Sequence, residues 1–565
     1  MMNIARVGVL LDRNEAQRRW SYGLNVFGFY ISEVLSHAGI PFERIDDLHE
    51  VVNGSFDIVV VGSVRDDEAS TSVLWKYAEQ GGVLISFAGL NALASKLGCQ
   101  WSGWAEAGYA SFGAYYDKAE SIRFLSASPW QPSAGNGRLL EEVGELAKDQ
   151  PRGAWLGAAL QRFRIGEGLF DRWAVDIPAT IVGLQQGTEP VLEDGIPAPD
   201  GSAKINENIL KADDRIEMDW THDRRSTETG QTYFAYPYAD YWRELFIGRL
   251  LRTAVGLGLT LPFVGYWPDG IEHVATISHD SDGNVEEDAI ATLEILEENS
   301  LQSTWCMIEP GYSATVYEQI KQAGHELAFH YNGLDMKWGL DEFDRQLSFL
   351  QKTADLDKVV SNKNHYTRFE GWGELFEWCE ARGIQIDQTR GPSKKGNVGF
   401  LFGTCHCYFP IAWSNDNNRM YNVLEVGFLT QDLDLTSNWA DSSVIVPFLE
   451  GISKIGGIAH FLIHQGHIGT KATVRSSFRR IAAEARERGF VFWTSRMIND
   501  WERTRRQLKV VAVTDKGATV EAGLPLPANA VIWIPVPENC KSLGDETIEM
   551  RMGVRCLKQC ITTHI

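Results

Sequence analysis

No apolar stretch in this chain of 565 residues approaches the ~20 residues that a membrane-spanning helix needs; runs such as Ile58 to Val61 and Gly457 to Ile463 are far too short. The N-terminal stretch Met1 to Leu11 lacks a basic segment followed by a long apolar run and a small-residue cleavage site, and reads instead as a first buried strand. A cytoplasmic protein without a membrane partner is expected. Basic residues are in deficit, 53 Lys and Arg against 75 Asp and Glu, for a formal net charge of −22, so nucleic acid is excluded as a partner. The short runs Arg479-Arg480 and Arg503 to Arg506 fall on amphipathic helical patterns and read as solvated faces. Cysteine is sparse too. Eight residues scattered from Cys99 to Cys560 exclude a disulfide scaffold and imply reduced thiols. Neither Cys405-His406-Cys407 nor Cys556 with Cys560 has a second Cys or His pair at zinc-finger spacing, so both read as incidental. Internal repeats and low-complexity tracts are also lacking.

What is present is ordinary globular composition, 44% apolar and 23% charged, in a chain long enough for two to four domains at about 150 residues each. Apolar runs at Ala5–Leu11, Ile58–Val61 and Val83–Phe87 alternate with helical patterns through Phe27, Tyr30, Val34 and Leu35 and around Leu74–Gln80. That alternation predicts a parallel, doubly wound, flavodoxin-like sheet. Residues Trp101 to Asp223, with short strands and the turn-rich Asp194 to Gly201, read as an elaboration on it. A strand at Gly230–Tyr236 and an apolar-faced helix at Tyr241–Leu257 close the unit. The chain restarts at Val274–Ser278 and alternates to about Trp501, and short apolar strands at Val510–Val513, Ala518–Val520, Val531–Ile534 and Ile548–Met552 predict a small all-β appendage. The fold class is therefore α/β, with domains at 1–262, 263–506 and 507–565.

Five polar clusters mark predicted strands in the middle domain: Ser278-His279-Asp280-Ser281-Asp282-Gly283 at a strand end, Gly324-His325-Glu326 leading into an apolar strand that delivers His330, and, each just after a strand, Asn364-His365-Tyr366-Thr367-Arg368, Gly403-Thr404-Cys405-His406, and Leu462-Ile463-His464-Gln465-Gly466-His467. Strand tips are where α/β enzymes place active groups. A lone buried histidine is more often a hydrogen-bonded core residue than a ligand, but five such tips in one domain point to a shared centre.

In order and content these clusters resemble the NodB-homology polysaccharide deacetylases, carbohydrate esterase family 4, and more closely the branch whose first motif reads His-Asp-x-Asp; the match runs roughly from His273 to Trp501. The resemblance implies a distorted (β/α) barrel, with Asp280 as base, Asp282 and His330 as ligands of one divalent ion, zinc above all, and His464 as general acid. Family members carry a second metal histidine four residues after the first, a position held here by Leu334. His365, in a His-Tyr-x-Arg motif, is the expected third ligand, with Asp335 as the alternative. Arg368 is expected to orient Asp280 or contact substrate, and His406 to line the pocket; His279 is read as structural and His467 as a neighbour of His464.

The first 257 residues resemble the class I glutamine amidotransferase-like fold in its ThuA-like branch. Glutaminases of that fold carry a cysteine at a sharp strand-to-helix turn, where Ile85 to Asn91 has none; Ser86 is read as a turn residue, and the domain as non-catalytic. Homo-oligomerisation through this domain is left open. The expected substrate is an N-acylated carbohydrate or small molecule, with Trp338, Trp372, Trp413 and Trp439 available to stack on sugar faces. Hydrolysis of a non-sugar amide and a catalytically degenerate carbohydrate-binding scaffold are the competing readings.

Overall fold

The computed structural model of the chain describes residues 2–205, 208–335, 337–514, 517–521, 529–540 and 547–561. The chain is a mixed α/β protein with two large sheets and smaller antiparallel ones. Parts of the expected C-terminal domain lie outside the described residues. Among the described residues no helix is long and apolar enough to cross a membrane.

The first sheet has nine strands. Its parallel part runs Glu43–Ile45, Val7–Leu11, Ile58–Ser63, Val83–Phe87 and Gly168–Trp173. The central strands are buried on both faces, as apolar parallel strands must be when helices cover both sides. Ser86 lies inside Val83–Phe87, paired with Val61 and Arg172, and not in a turn. The region 101–223 is more regular than expected: Leu139–Lys148 and Trp155–Ile165 form a long antiparallel hairpin that extends the sheet. Alternation there is blurred because the outer strand is half exposed, with charged residues on one face.

The second sheet is parallel and curled, in the order Leu424–Glu425, Ile386–Asp387, Ser361–Asn364, Glu326–Tyr331, Thr304–Met307, His273–Asp280, Ile458–Leu462 and Thr430–Gln431. Its two outermost strands are consecutive in sequence, so a short stretch of chain bridges the sheet's edges. Amphipathic helices cover it. Leu340–Thr353 buries Phe343, Leu347 and Leu350, and Ala472–Glu487 buries Val474, Phe478, Ile481 and Ala485. Those spacings of three and four residues lay one apolar stripe on the sheet, and each large side chain so covered contributes about 1.5–3 kcal/mol.

The halves are joined by the helix Tyr238–Gly256, buried over most of its length. Its Asp240 accepts hydrogen bonds from Thr404 Oγ1 at 2.6 Å and the Cys405 amide at 2.8 Å. Phe263–Val264, just past that helix, pairs with Val531–Pro535, so the C-terminal sheet takes a strand from the connection between the two halves.

Candidate active site at the strand tips

Strand geometry sets the centre. Side chains alternate along His273–Asp280, so Ser278 and Asp280 face one way and His279 the other. His279 is fully buried between Trp305 and Phe478, with Nδ1 2.9 Å from the Ile463 carbonyl oxygen, and burial pushes its pKa down to about 3. It is a packing residue, as expected.

On the opposite face, Lys363 reaches in from the strand Ser361–Asn364. Its ammonium lies 3.2 Å from Asp280 Oδ1 and donates to Ser278 Oγ at 2.5 Å. Ser278 in turn is 2.8 Å from His460 Nε2, and His460 Nδ1 donates to the Val426 carbonyl at 3.0 Å. This chain leaves Lys363 to act as donor toward Asp280. Burial alone would raise the Asp280 carboxyl, but Lys363, His330 and His464 outweigh it and hold the pKa below the usual range.

Asp282 follows in the turn after the strand. His330 Nε2 lies 3.2 Å from its Oδ1, and the Nε2 atoms of His365 and His464 each lie 3.5 Å from its Oδ2. The other ring nitrogens are engaged: His330 Nδ1 with the Lys363 carbonyl at 2.9 Å, His365 Nδ1 with Asn332 Oδ1 at 3.3 Å. Those acceptors fix Nδ1–H on each ring and so leave the Nε2 atoms facing Asp282. Ligand atoms of Asp282, His330 and His365 all lie within 4.8 Å of one another. One carboxylate and two neutral imidazoles is a donor set suited to a divalent ion such as zinc.

His365 is presented by unusual backbone. Tyr366 and Thr367, the residues after it, have φ of 59° and 52°. Consecutive left-handed residues, one of them β-branched, cost of order 1–3 kcal/mol each, and such strain concentrates at functional sites.

His464 is backed by Asp432, whose carboxylate takes the His464 Nδ1 and lies 3.1 Å from His467 Nδ1. Burial pulls the His464 pKa down, but Asp432, Asp282 and Asp280 overcome it and raise it to about 10. Asp432 itself, despite burial, is held at about 2 by the two imidazoles.

Other expected residues lie elsewhere. Arg368 does not reach Asp280: its guanidinium pairs with Glu370 and with the Gly333 carbonyl, fixing the loop that carries Asn332, while Lys363 occupies the position beside Asp280. His406 does not line the cavity. It is buried at the joint between the halves, its Nε2 3.0 Å from the Ile455 carbonyl and its ring against His37. Asp335 is exposed and stands outside the Asp282 group. Of the four tryptophans, Trp439 lines the cavity; Trp338 packs on Tyr331 and Trp378, and Trp372 and Trp413 pack together against Phe27.

A second cluster with ligand-type atoms, His37, Cys407 and Glu502, is a poor cation site: Glu502 is neutralised by Arg505 and Arg506. The strand-tip centre instead opens into a cavity of about 420 Å³, within the range of small-molecule sites.

Lys363 and Asp432 are not among the residues expected from the sequence. The signal for Lys363 was a wholly polar strand, Ser-Asn-Lys-Asn, just before His365; all four side chains are buried, which only a paired polar network sustains. Replacing Lys363 with methionine leaves Asp280 buried without its nearest and strongest counter-charge. The expected result is a loss of about 3–5 kcal/mol in stability, read by denaturant unfolding. With the lysine gone the carboxyl pKa rises, so activity that needs ionised Asp280 falls at neutral pH and returns as pH rises. Unchanged stability and an unchanged acid limb of the rate profile would refute this role.

No family model and no curated protein matches the sequence. Among solved structures, the chain is similar to Agd3, a carbohydrate deacetylase, at 10% identity and a TM-score of 0.36, over 98% of this chain and 97% of that one. It is similar to the Xyl-CE4 domain of a multidomain xylanase from the hindgut metagenome of Trinervitermes trinervoides at 13% identity and a TM-score of 0.26, over 41% and 92%. The β-galactosidase from Bacillus circulans sp. alkalophilus matches 30% of this chain and 28% of its own, at 14% identity and a TM-score of 0.24. What the strand-tip centre can do is decided by its own side chains.

Proposed function

We propose that this chain is a metal-dependent hydrolase that removes an N-acyl group, acetyl above all, from an amino sugar, oligosaccharide or glycoside. The observation that carries this is the convergence of the His330, His365 and His464 Nε2 atoms on Asp282, with Asp280 3.7 Å from His330 Nε2 and braced by Lys363.

Asp282, His330 and His365 are the residues that would hold one divalent ion, zinc by donor type. Such an ion supplies an acidified water and polarisation of the amide carbonyl. Asp280, kept ionised by Lys363, takes the proton of the attacking water. His464, kept protonated by Asp432, gives a proton to the amine nitrogen as the C–N bond breaks. A base held acidic and an acid held basic, in one cavity with Asp282, match two steps of amide hydrolysis that need opposite proton transfers. Trp439, in the cavity wall, is an aromatic residue available to a sugar.

This reading places the chemistry on a distorted (β/α) barrel of the NodB-homology type. For the N-terminal half, the parallel strand order supports a doubly wound, flavodoxin-like unit.

Elemental analysis of the wild type beside His330→Ala and His365→Ala tests the metal centre. About one divalent ion per chain is expected in the wild type and a large loss in both variants, since each removes a ligand. Metal retained in His365→Ala would remove His365 from the ligand set, and no metal in any sample after reloading would sink the hydrolase reading.

A further inference from the structure

The N-terminal half does not end at the edge of the curled sheet. A segment beginning at Val191 crosses onto the strand-tip face: Val191 and Gly371 exchange backbone hydrogen bonds of 2.8 and 2.9 Å, and the Phe369 amide donates to the Leu210 carbonyl at 3.0 Å. Asp213 anchors its far end, accepting from Asn397 Nδ2 at 2.5 Å and from Ser393. Between these anchors Lys211 enters the wall of the active cavity, which it shares with Asp280, Asp282, His365, Tyr366 and His464.

Lys211 is 3% exposed. Its ammonium sits 5.3 Å from the centre of the Tyr366 ring, and among the described residues it forms no hydrogen bond or ion pair. The nearby carboxylates are engaged elsewhere: Asp213 as described, and Asp214 with the backbone amide of Lys211 at 2.7 Å and with Lys394 at 3.9 Å. Burying a cation without a counter-charge is costly. Burial accordingly lowers the amine's pKa, against the pull of Asp213 and Asp214.

We propose that Lys211 is a specificity-determining residue that pairs with a carboxylate of the substrate, so that the preferred substrate is an N-acylated amino sugar joined to, or bearing, an acidic group. This rests on the hydrolase reading above and narrows its substrate. An acidic sugar supplies the directly paired carboxylate that Lys211 lacks, while a neutral one leaves the buried amine without a hydrogen-bonded partner. The first half of the chain would then choose the substrate that the second half cleaves.

The test compares two oligosaccharides of equal length with the metal-supplemented full chain, one built of N-acetylhexosamine alone and one alternating N-acetylhexosamine with hexuronate. The wild type is expected to favour the acidic oligomer in kcat/KM by on the order of 10- to 100-fold, the range for a hydrogen bond to a charged group. In Lys211→Met that ratio is expected to fall to about one. Equal turnover of both oligomers by the wild type, or an acidic-to-neutral ratio unchanged in the variant, would overturn the proposal. If neither is hydrolysed, the hydrolase reading fails. Calorimetric titration of the same oligomers then decides the lysine's role separately: tighter acidic binding that Lys211→Met abolishes upholds it, and equal binding overturns it. Lys211→Gln, which keeps a polar tip, serves if the methionine variant does not fold.

Discussion

Asp280→Asn is expected to lower kcat by about 10³-fold or more while leaving the metal content at the wild-type level, because the substitution removes a proton acceptor and spares all three ligand residues. The amide is nearly isosteric with the carboxylate, so the cavity keeps its shape. It cannot take a proton from water, and it no longer offers Lys363 a charged partner at 3.2 Å. The second consequence separates this role from a merely structural one, since a buried Lys363 left without its carboxylate lowers stability as well as rate. Steady-state kinetics on an N-acetylated sugar, with elemental analysis and denaturant unfolding of the same preparation, give three readings. Loss of metal along with activity would place Asp280 among the ligands and remove it from the base role; unchanged kcat would remove it from the reaction.

Much of this centre was legible in the sequence because strand tips advertise themselves. A run of buried apolar residues followed by Asp or His is a local pattern, and Asp280, Asp282, His330 and His464 follow it, while His365 stands out by its His-Tyr-x-Arg motif after a polar strand. What brings them together is the parallel pairing of their strands, which aligns every C-terminal tip on one side of the sheet. Residues whose partners are distant were harder to read. Arg368 is two residues from the glutamate it pairs with, and nothing in its own motif says that Lys363, not the arginine, faces Asp280. His406 also follows a Gly-Thr turn, yet that turn is fixed by Asp240 from a helix more than 150 residues earlier, and so serves the joint between the halves.

The fold shows the same division. Strands and helices with clear periodicity, such as Val83–Phe87 and Tyr238–Gly256, stand close to their expected positions. The hairpin of Leu139–Lys148 and Trp155–Ile165 was obscured because its outer strand faces solvent along one side and carries glutamates there. The crossing segment near Lys211 left no sequence signal at all. It is held by isolated backbone pairs to residues 368–371, and tertiary pairing of that kind has no periodic signature.

Asp432→Asn bears on the other half of the proton balance. In the folded chain His464 carries a raised pKa of about 10 although burial alone would lower it, and among the groups that raise it Asp432 comes first. A general acid works only while protonated, so activity is lost as pH rises through its pKa. Removing the Asp432 charge takes away the largest raising influence and leaves only Asp282 and Asp280 against burial, so the alkaline limb of the kcat/KM profile must move to lower pH. Above that displaced limb the imidazole enters the reaction unprotonated, and kcat there is expected to fall by about 10²- to 10⁴-fold, the range set by loss of general acid catalysis. The loss should shrink for substrates with better leaving groups, because an amine or phenol of low basicity needs little help in departing. A nitrophenyl ester of the same acyl group, compared with the N-acyl sugar, makes that contrast measurable. If the variant loses equal activity on both and its alkaline limb stays in place, Asp432 merely shapes the cavity and His464 draws its proton from another source.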